Sequence, residues 1–73
     1  MIQPGYYRHY KGKLCLVIGI AQHSETNELL VVYLPLYEYS GCGMFVRPLE
    51  MFKEEVLIEG KTVKRFEFVG EKL

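Results

Sequence analysis

The sequence predicts a mainly β fold: one small domain over residues 1–73, made of five or six short antiparallel strands. Three observations predict it. Short runs rich in Val, Ile, Leu, Tyr and Phe alternate with turn signals. Two neighbouring runs, Leu14 to Ala21 (LCLVIGIA) and Glu28 to Leu36 (ELLVVYLPL), are apolar on both faces, as strands shielded on both sides are. And every apolar stretch long enough for a helix is too β-branched and too punctuated to form one.

Taken in order, Pro4-Gly5 punctuates the start and Tyr6 to Tyr10 (YYRHY) is β-prone. Lys11-Gly12 turns into Lys13 and the central run. The polar link His23-Ser24-Glu25-Thr26-Asn27 closes a hairpin. Antiparallel pairing about its centre sets Gln22 opposite Glu28, Ile20 opposite Leu30, Ile18 opposite Val32 and Leu16 opposite Leu34. On the other side Val17 meets Tyr33 and Gly19 meets Val31. Both faces of this ribbon are apolar, and a flat two-stranded ribbon cannot bury both. The pair must curl, or a partner must cover one side. Gly19 is the expected bend or bulge.

Pro35 cannot donate to a ladder and marks an edge or a strand end. Tyr37 to Gly43 reads as a loop and Met44 to Arg47 as a short strand. Pro48 to Phe52 is expected to make one 3₁₀ or α turn, with Pro48 presetting the first helical φ and Leu49 and Phe52 three apart. Glu55 to Ile58 is a strand and Glu59-Gly60 a tight turn. Lys61 to Val69 follows as one alternating strand: Val63, Arg65 and Glu67 on one side, Lys64, Phe66 and Phe68 on the other. Strands of this length, tight turns and one helical turn before the last hairpin describe a partly open barrel of SH3-like architecture.

Composition bounds the partners. Nine Lys and Arg balance nine acids, all Glu, so the chain is formally neutral. Nucleic-acid binding draws most of its affinity from phosphate neutralisation and needs a basic face, so a neutral domain favours other partners. A chain of 73 residues buries only about 60% of its unfolded surface, so self-association would help it. No apolar run is long enough to span a bilayer, and no membrane partner is expected. Met1-Ile2-Gln3-Pro4 has neither the basic nor the apolar region of a signal peptide. The expectation is a cytoplasmic protein whose two thiols, Cys15 and Cys42, are free.

Several segments resemble a known family. They are Pro4 to Gly12 (PGYYRHYKG), Gly19 with Ala21, His23 to Thr26 (HSET), Val31-Val32-Tyr33, Leu36-Tyr37, Val46 to Phe52 (VRPLEMF) and Gly60 with Arg65-Phe66. In order and spacing they are similar to the bacterial family known as domain of unknown function 1653. The resemblance implies a single-domain bacterial, cytoplasmic β protein and implies no activity. The family pattern differs at several points. An aromatic usually stands where Cys15 is, a Trp where Phe45 is, a shorter Gly-Asp loop where Glu38 to Gly43 is, and polar residues where Leu14, Leu16 and Leu34 are. In the hairpin register above, Leu16 and Leu34 are opposed with Leu14 beside them. That apolar outer patch is expected to dimerise or dock a partner.

Four groups of residues could carry chemistry. Tyr6, Arg8 and Tyr10 share one face of the first strand, Tyr7 and His9 the other. This suits a ligand-facing strand, in which Tyr stacks and Arg grips a carboxylate or phosphate, or an edge strand whose amphipathic side chains cap the core. His23-Ser24-Glu25-Thr26 holds the residue types of a hydrolytic triad. Sequence neighbours cannot both reach one imidazole, so a turn braced by hydroxyl-to-backbone bonds is the simpler account. The functional alternative is a polar cluster of His9, His23, Glu25, Arg47 and Tyr37 at one barrel mouth. The spacings of His9, Cys15, His23 and Cys42 match no usual zinc pattern, so neither metal nor cofactor is expected. Arg47 precedes the helical turn and either aims into a site with Glu50 nearby or forms a surface pair with it, worth ~0–1 kcal/mol.

The leading expectation is a non-enzymatic binding module for a protein or peptide, its groove lined by Tyr7, Tyr37, Tyr39, Arg8 and Arg47. The alternatives are single-stranded nucleic acid held by tyrosine stacking with Arg8, Lys11, Lys13 and Arg47 on phosphates, and a small-ligand or catalytic site using His9 and His23 as acid and base.

Overall fold

A computed structural model describes residues 2–36 and 43–72 of the chain. Tyr37, Tyr39 and Cys42, singled out above, lie outside the described residues. The chain runs β1 (Gly5–His9), β2 (Leu14–Gln22), β3 (Leu29–Pro35), β4 (Phe45–Pro48), α1 (Leu49–Phe52), β5 (Glu55–Ile58), β6 (Lys61–Lys64) and β7 (Phe66–Gly70). Five strands form one antiparallel sheet in the order β4-β3-β2-β1-β7, and β5 with β6 forms a separate two-stranded hairpin. The all-β class and the single helical turn are as expected, and among the described residues there is no closed barrel. No described helix is long and apolar enough to cross a membrane.

The β2–β3 ladder holds the expected register only at one end. Leu16 pairs with Leu34 and Val17 with Tyr33; the register then slips by one, so Gly19 meets Val32, Ile20 meets Val31 and Gln22 meets Leu29. Ile18 is the extra residue of a β-bulge next to Gly19, at the bend the glycine suggested, and half of its surface faces solvent. The bulge bends the ribbon, as its two apolar faces require. Val17, Val31, Tyr33 and Cys15 turn inward and are buried, while Leu14, Leu16, Leu30, Val32 and Leu34 are half-buried.

The expected Lys61–Val69 strand is broken at Arg65. The Arg65 N–H donates to the Glu54 carbonyl (2.9 Å), and its own carbonyl accepts from the Tyr10 N–H (2.9 Å). Residues before it pair with β5 and residues after it pair with β1. One alternating run therefore serves two sheets, a division that alternation alone does not show.

The core is aromatic. Phe52, swung inward by α1, stacks flat on Phe66 of β7, with centroids 4.1 Å apart and planes 5° apart, and meets the edge of Tyr7. Tyr33 lies 6.0 Å from Phe66, although β3 and β7 are three strands apart in the sheet order, roughly 14 Å if the sheet were flat. The sheet therefore curls strongly around these rings. Gly5 is buried where β1 meets β7. Its φ is +141°, and a Cβ there would stand 2.8 Å from the Phe68 ring and 2.9 Å from the Gly70 carbonyl oxygen, a conformation and a gap only glycine meets.

Candidate functional site

Curling brings the two edge strands, β4 and β7, to one mouth of the sheet. There Arg47 of β4 lies over the Phe66 ring (5.4 Å from guanidinium carbon to centroid) and its Nε–H reaches the Tyr33 hydroxyl oxygen at 3.5 Å. Phe52 covers one face of Phe66, so Arg47 takes the other. His9, at the end of β1, meets the same ring edge-on at 4.9 Å. These residues, with Lys11, Lys13, Leu14 and Cys15, line a cavity of about 190 Å³. Among its described lining residues there is no acid, although the whole chain is neutral.

The electrostatics follow from that lining. His9 is held below its ordinary pKa, first by desolvation and then by the nearby charges of Arg47, Arg65 and Lys11. The Lys11 backbone N–H donates to His9 Nδ1 (3.1 Å), so neutral His9 carries its proton on Nε2 as a donor. Burial pushes the Cys15 thiol up to about 11, against the smaller opposing influences of the Tyr7 backbone N–H and Arg47. Cys15 is therefore an uncharged floor group at neutral pH.

The expected site residues divide among several places. His9 and Arg47 converge. His23 does not join them, because the nine residues of β2 separate it from the cavity. It braces the β2–β3 turn instead: its Nδ1 accepts the Glu25 and Thr26 backbone N–H groups (3.1 and 3.3 Å), and Thr26 Oγ1 accepts the Glu28 N–H (3.2 Å). Glu25 is exposed in that turn. The cluster of His9, His23, Glu25 and Arg47 at one mouth is thus not formed, and neither is a His9–His23 acid–base pair. Tyr7 is buried, with its hydroxyl donating to the Gln3 carbonyl (2.8 Å). Arg8 faces the other side of β1, opposite Leu14 and Glu67, and lines a separate hollow beneath the β5–β6 hairpin with Ile58 and Val63. Glu50 borders a shallow depression with Glu28 and Pro48. No group of three potential metal ligands occurs among the described residues.

The sequence does not single out Phe66, Tyr33 or Cys15 as binding residues, and it suggests Lys11 and Lys13 only for a nucleic-acid face. The available signal was the lysine pair flanking Gly12, directly beside His9. What hid the rest was the curl, since residues from β1, β4 and β7 meet only once the edges of the sheet approach.

Residues 5–68 match the family model described as "Protein of unknown function (DUF1653)". The chain belongs to this family. A crystal structure of a DUF1653 protein from Bordetella bronchiseptica is 41% identical to it, with a TM-score of 0.90, over 96% of this chain and 90% of that one. No curated protein matches the chain. The family description assigns no activity.

Proposed function

We propose that this DUF1653 protein is a non-enzymatic binding module whose recognition site is the His9–Arg47 pocket, and that it grips an acidic group on a protein or peptide partner. One observation carries this reading: in a neutral chain, Arg47, Lys11, Lys13 and His9 gather around one cavity with no acid among its described lining residues. A guanidinium stacked on an aromatic ring is already ordered, so less entropy is lost when it takes up a carboxylate. The buried thiol and the distance between His9 and His23 both favour binding over catalysis.

Single-stranded nucleic acid is the weaker reading. Such binding stacks bases on exposed aromatic faces, and in the cationic pocket Phe66 has both faces occupied and Tyr33 is buried, while the exposed rings of Tyr10 and Phe68 lie outside it. A second surface is proposed for self-association or partner docking: the outer face carrying Leu16 and Leu34, which pair directly, with the adjacent Val46 59% exposed; Leu14, expected beside them, lines the cavity. Sedimentation of the wild type and of Leu16→Lys tests it; a wild type that stays monomeric at high concentration and binds no partner there rejects it.

The test of the pocket is titration of ¹⁵N-labelled protein with an amidated peptide carrying internal glutamates. Saturable shifts at His9, Arg47 and Phe66 are expected. Arg47→Gln should weaken them at least tenfold and Arg8→Ala should leave them unchanged. Equal responses in the two variants, or no response of the wild type to this peptide or to any other carboxylate, would overturn the reading.

A further inference from the structure

The pocket also indicates what its ligand looks like beyond the acidic group. We infer that it accepts a carboxylate carried close to a compact apolar group, with the carboxylate on Arg47 and His9 and the apolar group against Leu14, Cys15, Tyr33 and Phe66. This rests on the binding-module reading above and narrows it.

Size sets the first limit. A cavity of about 190 Å³ is slightly larger than the ~150 Å³ space that holds one benzene ring, so one ring or branched side chain fills it. The distribution of polarity sets the second. The cationic groups Arg47, Lys11 and Lys13 are accompanied by an uncharged floor of Leu14, Cys15, Tyr33 and Phe66. Inorganic phosphate would cover the cations and leave that floor wet. A bare glutamate side chain reaches it with two methylenes only. An apolar residue at the C-terminus of a chain, or a free aromatic or branched acid, covers both.

Donor geometry sets the third. Arg47 commits Nε to Tyr33, which keeps the two terminal nitrogens as its remaining donors. His9 has Nδ1 engaged by the Lys11 N–H, leaving one donor at Nε2. A planar carboxylate suits one fork plus one donor.

The experiment compares N-acetyl-glycyl-phenylalanine as free acid and as amide, 3-phenylpropionate and inorganic phosphate, read by shifts at His9 and Phe66. Expected are saturable binding of the free acid, at least tenfold weaker binding of its amide and of phosphate, and a rise of the His9 pKa on binding. Similar affinity for 3-phenylpropionate indicates a free small acid as the source; at least tenfold preference for the peptide acid indicates a chain terminus. Arg47→Lys keeps the charge, removes the fork and should cost tenfold or more, while the acid–amide comparison needs no variant. Equal binding of acid and amide, or preference for phosphate, overturns the inference. If the internal-glutamate peptide binds and none of these acids does, the inference falls and the binding-module reading stands. If no anion binds, both fall.

Discussion

Val31 of β3 and Val63 of β6 are both β-branched residues in antiparallel strands, yet Val31 is fully buried while Val63 is exposed. The difference separates the five-stranded sheet from the β5–β6 hairpin. The sheet curls around Phe52 and Phe66 and buries Tyr7, Cys15, Val17, Val31 and Tyr33 against them. In the hairpin only Val56 is even half-buried, and Leu57 is 72% exposed. Two other features define the hairpin. Its turn, Glu59-Gly60, places both residues at positive φ (49° and 80°), the twist that two-residue hairpin turns favour. Its base is tied by the Arg65 N–H to the Glu54 carbonyl and by an Arg65–Glu54 ion pair at 2.8 Å. Similar alternating runs thus rest on burial in one region and on turn chemistry plus a clasp in the other, and an isolated hairpin of this kind is marginal.

The largest test of this contrast sets Phe52→Ala against Leu57→Ser. Losing a buried Phe costs ~3–5 kcal/mol, as much as a core of this size is worth. The expected outcome is loss of the cooperative thermal transition for Phe52→Ala and a change within ~0.5 kcal/mol for Leu57→Ser. Comparable shifts in the two melts would erase the distinction.

The next concerns pH and belongs to the sheet alone. Cys15 is raised from 9.0 to about 11 by burial, and Tyr7 is raised above 10.0, also by burial first. A raised folded pKa means the native state holds its proton longer than the unfolded chain. Stability is therefore intact below pH 9 and falls as pH rises through 9 to 11. Cys15→Ala should delay the onset of that loss toward the Tyr7 range, as read from urea midpoints at each pH. His9 acts in the opposite sense. Its lowered pKa leaves its contribution intact above 6.5 and erodes it as pH falls below that value. An alkaline limb that ignores Cys15→Ala would count against the buried thiol.

A smaller effect is expected at the clasp. Arg65–Glu54 is partly solvated, so breaking it is worth ~0–1 kcal/mol. Glu54→Gln should speed amide exchange across Glu55–Ile58 and Lys61–Lys64 while the β2 and β3 amides keep their protection. Uniform acceleration would mean that hairpin and sheet open together.

These two regions also explain what could be read beforehand. The β2–β3 pair was legible because both of its faces are apolar, and Leu16–Leu34 follows from the loop length. That end keeps the counted register only because two one-residue shifts cancel: the turn pairs His23 with Glu28, one residue off the counted centre, and the bulge at Ile18 takes up the difference. The helical turn was legible from Pro48 and the Leu49–Phe52 spacing. The break at Arg65 was not, because its cause is the backbone of Glu54 and Tyr10, both distant in sequence. Of the candidate site, His9 and Arg47 were expected together at one barrel mouth, but in a cluster that also held His23 and Glu25, which the structure keeps apart from them. Their convergence depends on how far the sheet curls, and strand patterns do not encode curl. His23 misled because a histidine among hydroxyls resembles chemistry, whereas its Nδ1 serves two backbone N–H groups of its own turn.

The smallest expected effect asks where glycine is needed. Gly19 sits beside the bulge in ordinary backbone, and an added Cβ would meet nothing within 4 Å. Gly60 also has open space, but its φ is +80°, which strains any residue with a side chain. If the bulge is created by packing on both faces of β2 rather than by glycine itself, Gly19→Ala should stay within ~0.5 kcal/mol of wild type, helped by lower unfolded-state entropy. Gly60→Ala should cost about 1 kcal/mol or more in the hairpin turn. Paired chemical denaturation of the two variants decides it: a Gly19→Ala loss as large as that of Gly60→Ala would mean that the bend in the central strand depends on glycine's freedom, and that the curl forming the pocket does too.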